Sequence, residues 1–531
     1  MAQPQKSIKR NYIFNTLAQL ITMLAPIVVI PYVSRVLLPE GVGIASYSNS
    51  IVSYFTLFAA LGTATYGQRT IGYSQSNKEE RSKCFWEIFT LRLTTSLITL
   101  LAYVIYTIFI NENRLIYSLL AINIISVIFD ITWFYQGLEE FGKISLIGIC
   151  CKVLYVVSIF IFVKKFDDLT KYIFLTSLFA LLPNIIMWLP LHKFICKPTG
   201  VNPFADIKTV LQMFIPTLAI QVYAVLDKSM IKWITGSYSE NGYYERAENM
   251  AKMALMVITS LGTVMTPRIS RQFKEGNMTA VKNYVYKSYR FTWFLGIPIM
   301  IGLVTVASAF VPIFLGEAFN GSIILLQIFS LLVVIIGLNN VTAMQYLVPV
   351  GKQNIFTINV IIGACVNVVL NLLLIKRMGA LGACIASVVA ELCVTASAFI
   401  SIFIMKQYSL KPVFLSSIKY WISGIIMGGI IIAVKYFLSL TVWALFLLIA
   451  IGICVYFILL LLLRDELLLD VLSKVLIKIK SIGNLKDSNN DQAFSTEDIN
   501  HCFLDELNDS NVIKEKTDQS EDDETSHNNL T

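Results

Sequence analysis

The sequence predicts an all-α integral membrane protein: about fourteen transmembrane helices, in two parallel six-helix lobes followed by a terminal hairpin. Three observations carry this. The mean hydropathy is +0.69 with only 14% charged residues, far from the balance of a soluble globular chain. Apolar runs long enough to cross a hydrocarbon core of roughly 30 Å recur along almost the whole length. A pair of segments about 200 residues apart echo each other, which is the mark of an internal repeat.

The runs fall at 12–34, 44–66, 85–110, 115–137, 144–163, 171–194, 209–234, 246–266, 291–315, 322–348, 354–375, 379–404, 415–438 and 441–463. They specify helices, because a helix satisfies its backbone internally while facing lipid. Pro26, Pro183, Pro216 and Pro298 predict kinks or hinges within them. The first run follows Lys6, Lys9 and Arg10 but is too long for a signal peptide and lacks a small-residue cleavage site, so it stays as a span. An even number of spans puts both termini on one side. Loops on that side hold about 25 Lys and Arg against about 9 opposite, which predicts cytoplasmic termini. The stretch "PRISRQFKEGNMTAVKNYVYKSYR" supplies six of them and reads as an orientation signal beside anionic lipid.

In the echo, Gly43 and Gly242 each open a span that closes near Leu-Gly-Thr, at 61–63 and 261–263, before a basic residue, Arg69 or Arg268. Six runs separate the copies, so they run in the same direction, as in transporters built from parallel repeats. The predicted division is an N-lobe over 1–197, a C-lobe over 198–405, a hairpin over 406–483 and a disordered acidic tail over 484–531. "HKFICKPTGVNPFADIK" is the expected hinge between lobes. The net charge of +8 hides that tail, without which the rest is near +18. Nine cysteines with no CxxC spacing argue against disulfides and structural zinc, and the three histidines all fall on the cytoplasmic side, away from any outer catalytic centre.

Ionisable groups inside the runs are the candidate functional residues, since each is costly in hydrocarbon and belongs beside a partner or a wet cavity. Arg92, Asp130 and Lys152 each lie roughly 11 Å from the cytoplasmic end of their runs at 1.5 Å per residue, so all three are expected at one level. They suit either a cavity or an ion pair with a snorkelling lysine. In "VYAVLDKSMIKW", Asp227 and Lys228 lie past the middle of the seventh run. Lys232 lies near its outer end, and Lys252 sits at a depth that allows a pair with Asp227. Glu391 stands midway along the twelfth run, suited to a cavity position or a helix-to-helix hydrogen bond. Asn11, Asn15 and Gln19 recur every four residues and share one face of the first span, as cavity lining or helix contact. Arg35 ends that span as an interfacial anchor or gate contact.

"IPYVSRVLLPEGVG", "YFTLFAALGTATYGQR", "VYAVLDKSMI", "NGYYERAENMAKM" and "SLGTVMTPRIS" together resemble the polysaccharide-transporter family, the Wzx-type lipid-linked oligosaccharide flippases. That family belongs to the superfamily that also holds multidrug exporters and the lipid II flippase. The resemblance covers about residues 5–465, and the acidic tail departs from it. It implies two lobes around a cavity that opens alternately to each side of a bacterial cell membrane. It implies a substrate of oligosaccharide on a polyprenyl diphosphate, membrane lipid around it, and a glycan polymerase or other assembly partner downstream. It implies no catalytic residue, no nucleic acid and no cofactor, with H+, Na+ or the membrane potential as candidate driving forces. Lysine and arginine would meet the diphosphate, while Asp227 would offset cavity cations at the lobe interface. A drug exporter, a lipid II flippase and a membrane glycan polymerase stay as alternatives. The first usually carries an acid in the first span, where residues 11–35 have none; the last needs a sizeable outer loop, and these are short.

Overall fold

The computed structural model describes residues 8–197, 200–439, 441–470, 472 and 473, with the backbone alone for 8–23, 143, 216, 219, 220 and 222–224. The predicted tail lies outside the described residues. Among them every long element is helical and no strand occurs. Among the described residues twelve stretches are apolar and long enough to cross a bilayer, so the protein is multi-pass. The first of these, Leu24–Tyr73, is 50 residues long, because α1 (Ile8–Ala60) is two rods joined at Leu38, whose φ of 56° and ψ of 175° leave the helical region. Leu38 precedes Pro39, and a residue before proline is driven out of the α conformation. This break lies between the first two apolar runs. Pro26 and Pro31 sit inside the helix without such a departure.

The second rod of α1 stops at Leu61 and Gly62, both at positive φ, and α2 (Thr63–Tyr73) begins there. Then come α3 (Lys78–Phe109), α4 (Arg114–Phe129), α5 (Thr132–Gly137), α6 (Phe141–Phe162) and α7 (Leu169–Ile186). The chain continues as α8 (Ile207–Thr235), α9 (Tyr238–Lys274), α10 (Met278–Leu315), α11 (Ser322–Phe329) and α12 (Leu331–Asn340). A π-helical turn (Val341–Leu347) leads to α13 (Gln353–Met378), α14 (Ala380–Ile404), α15 (Lys411–Leu415), α16 (Ile418–Phe437) and α17 (Val442–Leu462).

Local chemistry sets these boundaries. Asn77 caps α3 by accepting from the Glu79 and Glu80 N–H groups, and the two acids complement the positive end of the helix. Ser237 caps α9 through the Glu240 N–H, which starts that helix eight residues before the apolar run at 246. Asp130 ends α4, and its carboxylate accepts the Thr132 N–H at 3.0 Å.

α1 is the hub, packing on α3, α4 and α6 on one side and on α8 and α9 on the other, while α13 and α14 form a tight hairpin against α8 and α12. α16 lies along α10, and the Tyr456 hydroxyl of α17 donates to the Phe294 carbonyl at 2.8 Å. The linker expected to act as a hinge is clasped by α3: Arg81 and Trp86 donate to the carbonyls of Phe194 and Cys196, and Asn202 N–H reaches Glu87. The chain divides after Leu460, and in the second unit Asp465 accepts the N–H groups of Leu467 and Leu468 at 3.1 Å.

Candidate functional site

The echo in the sequence is a contact in space. A Cβ on Gly43 would lie 1.7 Å from the Tyr238 carbonyl oxygen, and a Cβ on Gly242 would lie 2.0 Å from that of Pro39. The relation is reciprocal, as it would be about a two-fold axis: each glycine lets one copy's backbone touch the other. Three residues on from each glycine, Ser46 Oγ donates to Glu245 Oε2 at 2.9 Å, a bond between matching positions of the two copies. Arg35 extends the same seam, its Nη2 donating to the Ile313 carbonyl near the end of α10. The Tyr238 hydroxyl adds a bond to Glu112 at 3.0 Å.

Beside this seam lies a polar cavity of about 170 Å³ between α1 and α7 on one side and α8 and α9 on the other, lined by Ser46, Asn49, Ser53, Tyr172, Lys228, Glu245 and Arg246 among others. Lys228 Nζ lies 2.6 Å from Glu245 Oε2 and 2.9 Å from Glu248 Oε2. Lys252 Nζ holds the other Glu248 oxygen at 2.7 Å. Glu245, Glu248 and Lys252 follow the i, i+3, i+7 spacing that aligns them on one face of α9. Arg246 is different. It is 5% exposed, its Nε is buried with no hydrogen-bond partner, and it forms no ion pair among the described residues.

The expected pairing of Asp227 with Lys252 is not what forms, and Asp227 is not among the residues that line this cavity. Successive positions on a helix point about 100° apart, so while Lys228 turns to α9's acids, Asp227 turns away into a packed layer of α9, α13 and α14. There it is 6% exposed and accepts from the Tyr244 hydroxyl at 2.6 Å and from Asn371 and Ser387. Neutral donors replace the lysine because they satisfy a carboxylate without burying a second charge.

Arg92 and Asp130 do meet, Nη2 to Oδ2 at 2.8 Å, with Arg92 2% exposed. Lys152 does not join them: its ammonium sits 5.2 Å over the Tyr155 ring on its own helix. The expected three-residue cluster is therefore a pair, placed by α3 and the α4–α5 break, apart from the cavity. Lys232 bonds the Gly236 carbonyl and covers the Tyr238 ring. Glu391 is half-buried in α14 with a polar partner of its own and does not line the cavity. The side chains of Asn11, Asn15 and Gln19 lie outside the described residues.

Sequence reasoning missed Glu245, Arg246 and Glu248. Glu245 precedes the apolar run at 246 and Arg246 and Glu248 open it, so a hydropathy scan places them at the surface end of the span, whereas α9 starts at Tyr238. The signal was available: with Gly43 aligned on Gly242, Ser46 falls on Glu245.

Beyond the other end of α1, Gly62 and Tyr66 touch the start of α8 and the residue before it. A Cβ on Gly62 would lie 3.1 Å from Phe214 Cα, and the Tyr66 hydroxyl donates to Asp206 at 2.6 Å.

Residues 8–273 match the family described as "Polysaccharide biosynthesis protein". A relative from Escherichia coli (strain K12), described as "Putative O-antigen transporter", is 25% identical over 398 residues, 73% of this chain and 95% of its own. The lipid II flippase MurJ of Bacillus subtilis (strain 168) is 27% identical over 192 residues, 35% of this chain and 34% of its own. Among solved structures, "Lipid II flippase MurJ, inward closed conformation" has a TM-score of 0.68 at 18% identity, covering 86% of this chain and 100% of that one. An inward-facing MATE family multidrug transporter has a TM-score of 0.56 at 15% identity, covering 76% and 98%. The fold is thus the one shared by MurJ and MATE transporters, and the chain belongs to the polysaccharide biosynthesis protein family.

Proposed function

We propose that the protein carries polyprenyl-diphosphate-linked oligosaccharide units from the inner to the outer leaflet of a bacterial cell membrane, by alternating access through the cavity at Arg246, with both termini in the cytoplasm. The observation that carries this is the buried Arg246 guanidinium, whose Nε has no hydrogen-bond partner. Lys228 and Lys252 are matched by Glu245 and Glu248, and Arg246 alone brings a positive charge without an acid at hydrogen-bonding distance among the described residues. A diphosphate is a ligand of that chemistry, since it accepts several charge-assisted hydrogen bonds from one planar fork. Ser46, Asn49 and Tyr172 are suited to sugar hydroxyls. The E. coli relative's description supports the substrate class.

A cavity of about 170 Å³ is smaller than the roughly 300–1,000 Å³ of sites that hold drug-sized ligands. The sugar therefore enters only when one end parts, and the contacts at Gly43 with Gly242 and at Gly62 with Phe214 are the two that would open in turn. An apolar groove of about 370 Å³ between α10, α16 and α17 offers hydrocarbon a place beside the protein. Asp227 is the candidate coupling group for H+ or Na+. The potential offers a further drive, about 2.3 kcal/mol per charge per 100 mV, interior negative.

Deleting the gene tests the reading. Lipid-linked oligosaccharide should accumulate on the cytoplasmic leaflet and clear when the wild-type chain, but not Arg246→Gln, is restored. Unpolymerised units on the outer leaflet would instead point to a polymerase. The likeness to MurJ supports a second reading, flipping of lipid II, which would make peptidoglycan synthesis rather than surface glycan depend on the gene.

A further inference from the structure

The first and second halves of the chain carry different charge on one side of the membrane. Successive spans alternate in direction, so the connections from α2 to α3, α5 to α6, α7 to α8, α9 to α10, the π-helical turn to α13 and α14 to α16 share a side, and α17 ends there too. In the first half these helix ends and connections, over 69–87, 137–143 and 192–208, hold eight Lys and Arg against six Asp and Glu. In the second half, over 267–290, 348–353 and 404–419, they hold ten against one. Membrane orientation follows the count of Lys and Arg and gives acids little weight. Both halves serve it almost equally, so it does not explain why the second half lacks acids.

Packing gathers the cations of the second half on one face. The Tyr286 hydroxyl of α10 donates to the Ser409 carbonyl at 3.0 Å, and the Tyr346 hydroxyl of the π-helical turn donates to Gln407 Oε1 at 2.8 Å. Lys352 Nζ lies 3.3 Å from Met405 Sδ. The α9–α10 hairpin, the turn before α13 and the loop after α14 are thereby held side by side. Glu275, the one acid, is taken by Arg271 at 2.8 Å and by Gln272 at 2.8 Å. Lys274, Lys287, Lys406 and Lys411 are exposed and form no ion pair among the described residues.

Lipid headgroups do not reach the whole of this face. α9 stays helical to Lys274, eight residues past the apolar run that ends at 266. At 1.5 Å per residue that is roughly 12 Å, whereas the polar layer on each side of the hydrocarbon is only roughly 5–8 Å deep. The tip of the hairpin is therefore presented to solution. The complementary charge is in the same chain: residues 484–531 hold thirteen Asp and Glu against three Lys. They follow α17, whose Tyr456 hydroxyl bonds the Phe294 carbonyl, one turn along α10 from Arg290.

We propose that residues 484–531 dock as an acidic strap on the basic face built by the α9–α10 hairpin and the loop after α14, covering cations that would otherwise attract acidic partners. A single exposed ion pair contributes little. Many acids on one tether act differently, because a short link raises their effective concentration at the face toward the millimolar range. The docking is independent of what the protein carries.

The test uses the full chain, one copy per nanodisc of phosphatidylcholine, treated with a carbodiimide, which joins a carboxylate to a lysine only where the two touch. Mass spectrometry should find links from acids within 484–531 to Lys274, Lys282, Lys287, Lys406 or Lys411. Their yield should fall at least about fivefold near 1 M salt, where the screening length is about 3 Å. Arg268→Glu with Arg271→Glu, which leaves every lysine in place on an exposed surface, should lower it severalfold as well. No links to these lysines, links spread evenly over the lysines of both halves, or a yield indifferent to salt and to the arginine changes would overturn the docking. Nanodiscs rich in phosphatidylglycerol should give the same yield. Loss of the links there would assign the face to lipid headgroups, and links that form only when a disc holds two copies would assign it to a second chain; either result overturns the proposal.

Discussion

Ser46 and Glu245 lie 199 positions apart in the chain and share a hydrogen bond of 2.9 Å. They are the same position of two sequence copies, met at the seam between them. The bond turns Glu245 from a free acid into a fixed element of the cavity wall, with Lys228 at 2.6 Å on its other side.

Removing one member of this cluster should cost far more than removing a surface charge. Lys228 is 16% exposed, and its loss leaves Glu245 and Glu248 facing each other without their shared cation. Breaking a buried pair in this way costs about 3–5 kcal/mol. Lys228→Met should lower the unfolding midpoint of the chain in nanodiscs sharply, and adding Glu245→Gln should recover part of the loss. Equal midpoints for Lys228→Met and wild type would remove the cluster from the account.

The glycine seam predicts a conformational effect. Gly43→Ala places a methyl 1.7 Å from a backbone oxygen, a contact no rotamer relieves, so the halves must separate there. A cysteine at Ser46 should then react severalfold faster with a membrane-impermeant thiol reagent added from outside. Unchanged labelling would mean that this end is not a closed gate.

At the opposite end, Tyr66→Phe removes a 2.6 Å bond to Asp206. The bond is exposed to solvent and contributes at most about 1 kcal/mol, so closure of that end should weaken modestly. Labelling of a cysteine at Phe214 should rise in Tyr66→Phe, measured from the cytoplasmic side. A rate equal to that of the parent would show that the Tyr66 hydroxyl does not hold the end shut.

Much of the fold was legible because lipid leaves the backbone few choices: long apolar runs had to be helices, and α6, α13, α14 and α17 fall close to the predicted limits. Gly43 and Gly242 were legible because only glycine permits so close an approach. The site was legible only in part. Asp227 and Lys228 stood out as charges in an apolar run, but hydropathy says nothing about rotation, and one residue of rotation sends them to different partners. Depth placed Arg92, Asp130 and Lys152 at one level, yet level is not azimuth, and Lys152 points to Tyr155. Glu245 and Arg246 were hidden because α9 begins well before its apolar stretch. The kink at Leu38 was hidden because Pro39 lies between runs, where a helix was not expected to continue.

The measurement that bears most directly on the central claim uses the purified chain in vesicles holding a fluorescent polyprenyl-diphosphate-linked oligosaccharide. The quantity read is the fraction of label that crosses to the other leaflet with time. Wild type should move it, Arg246→Lys should move it more slowly because a point charge replaces the fork, and Arg246→Gln should leave it where it began. Equal rates for wild type and Arg246→Gln, at equal amounts of folded protein, would contradict the account.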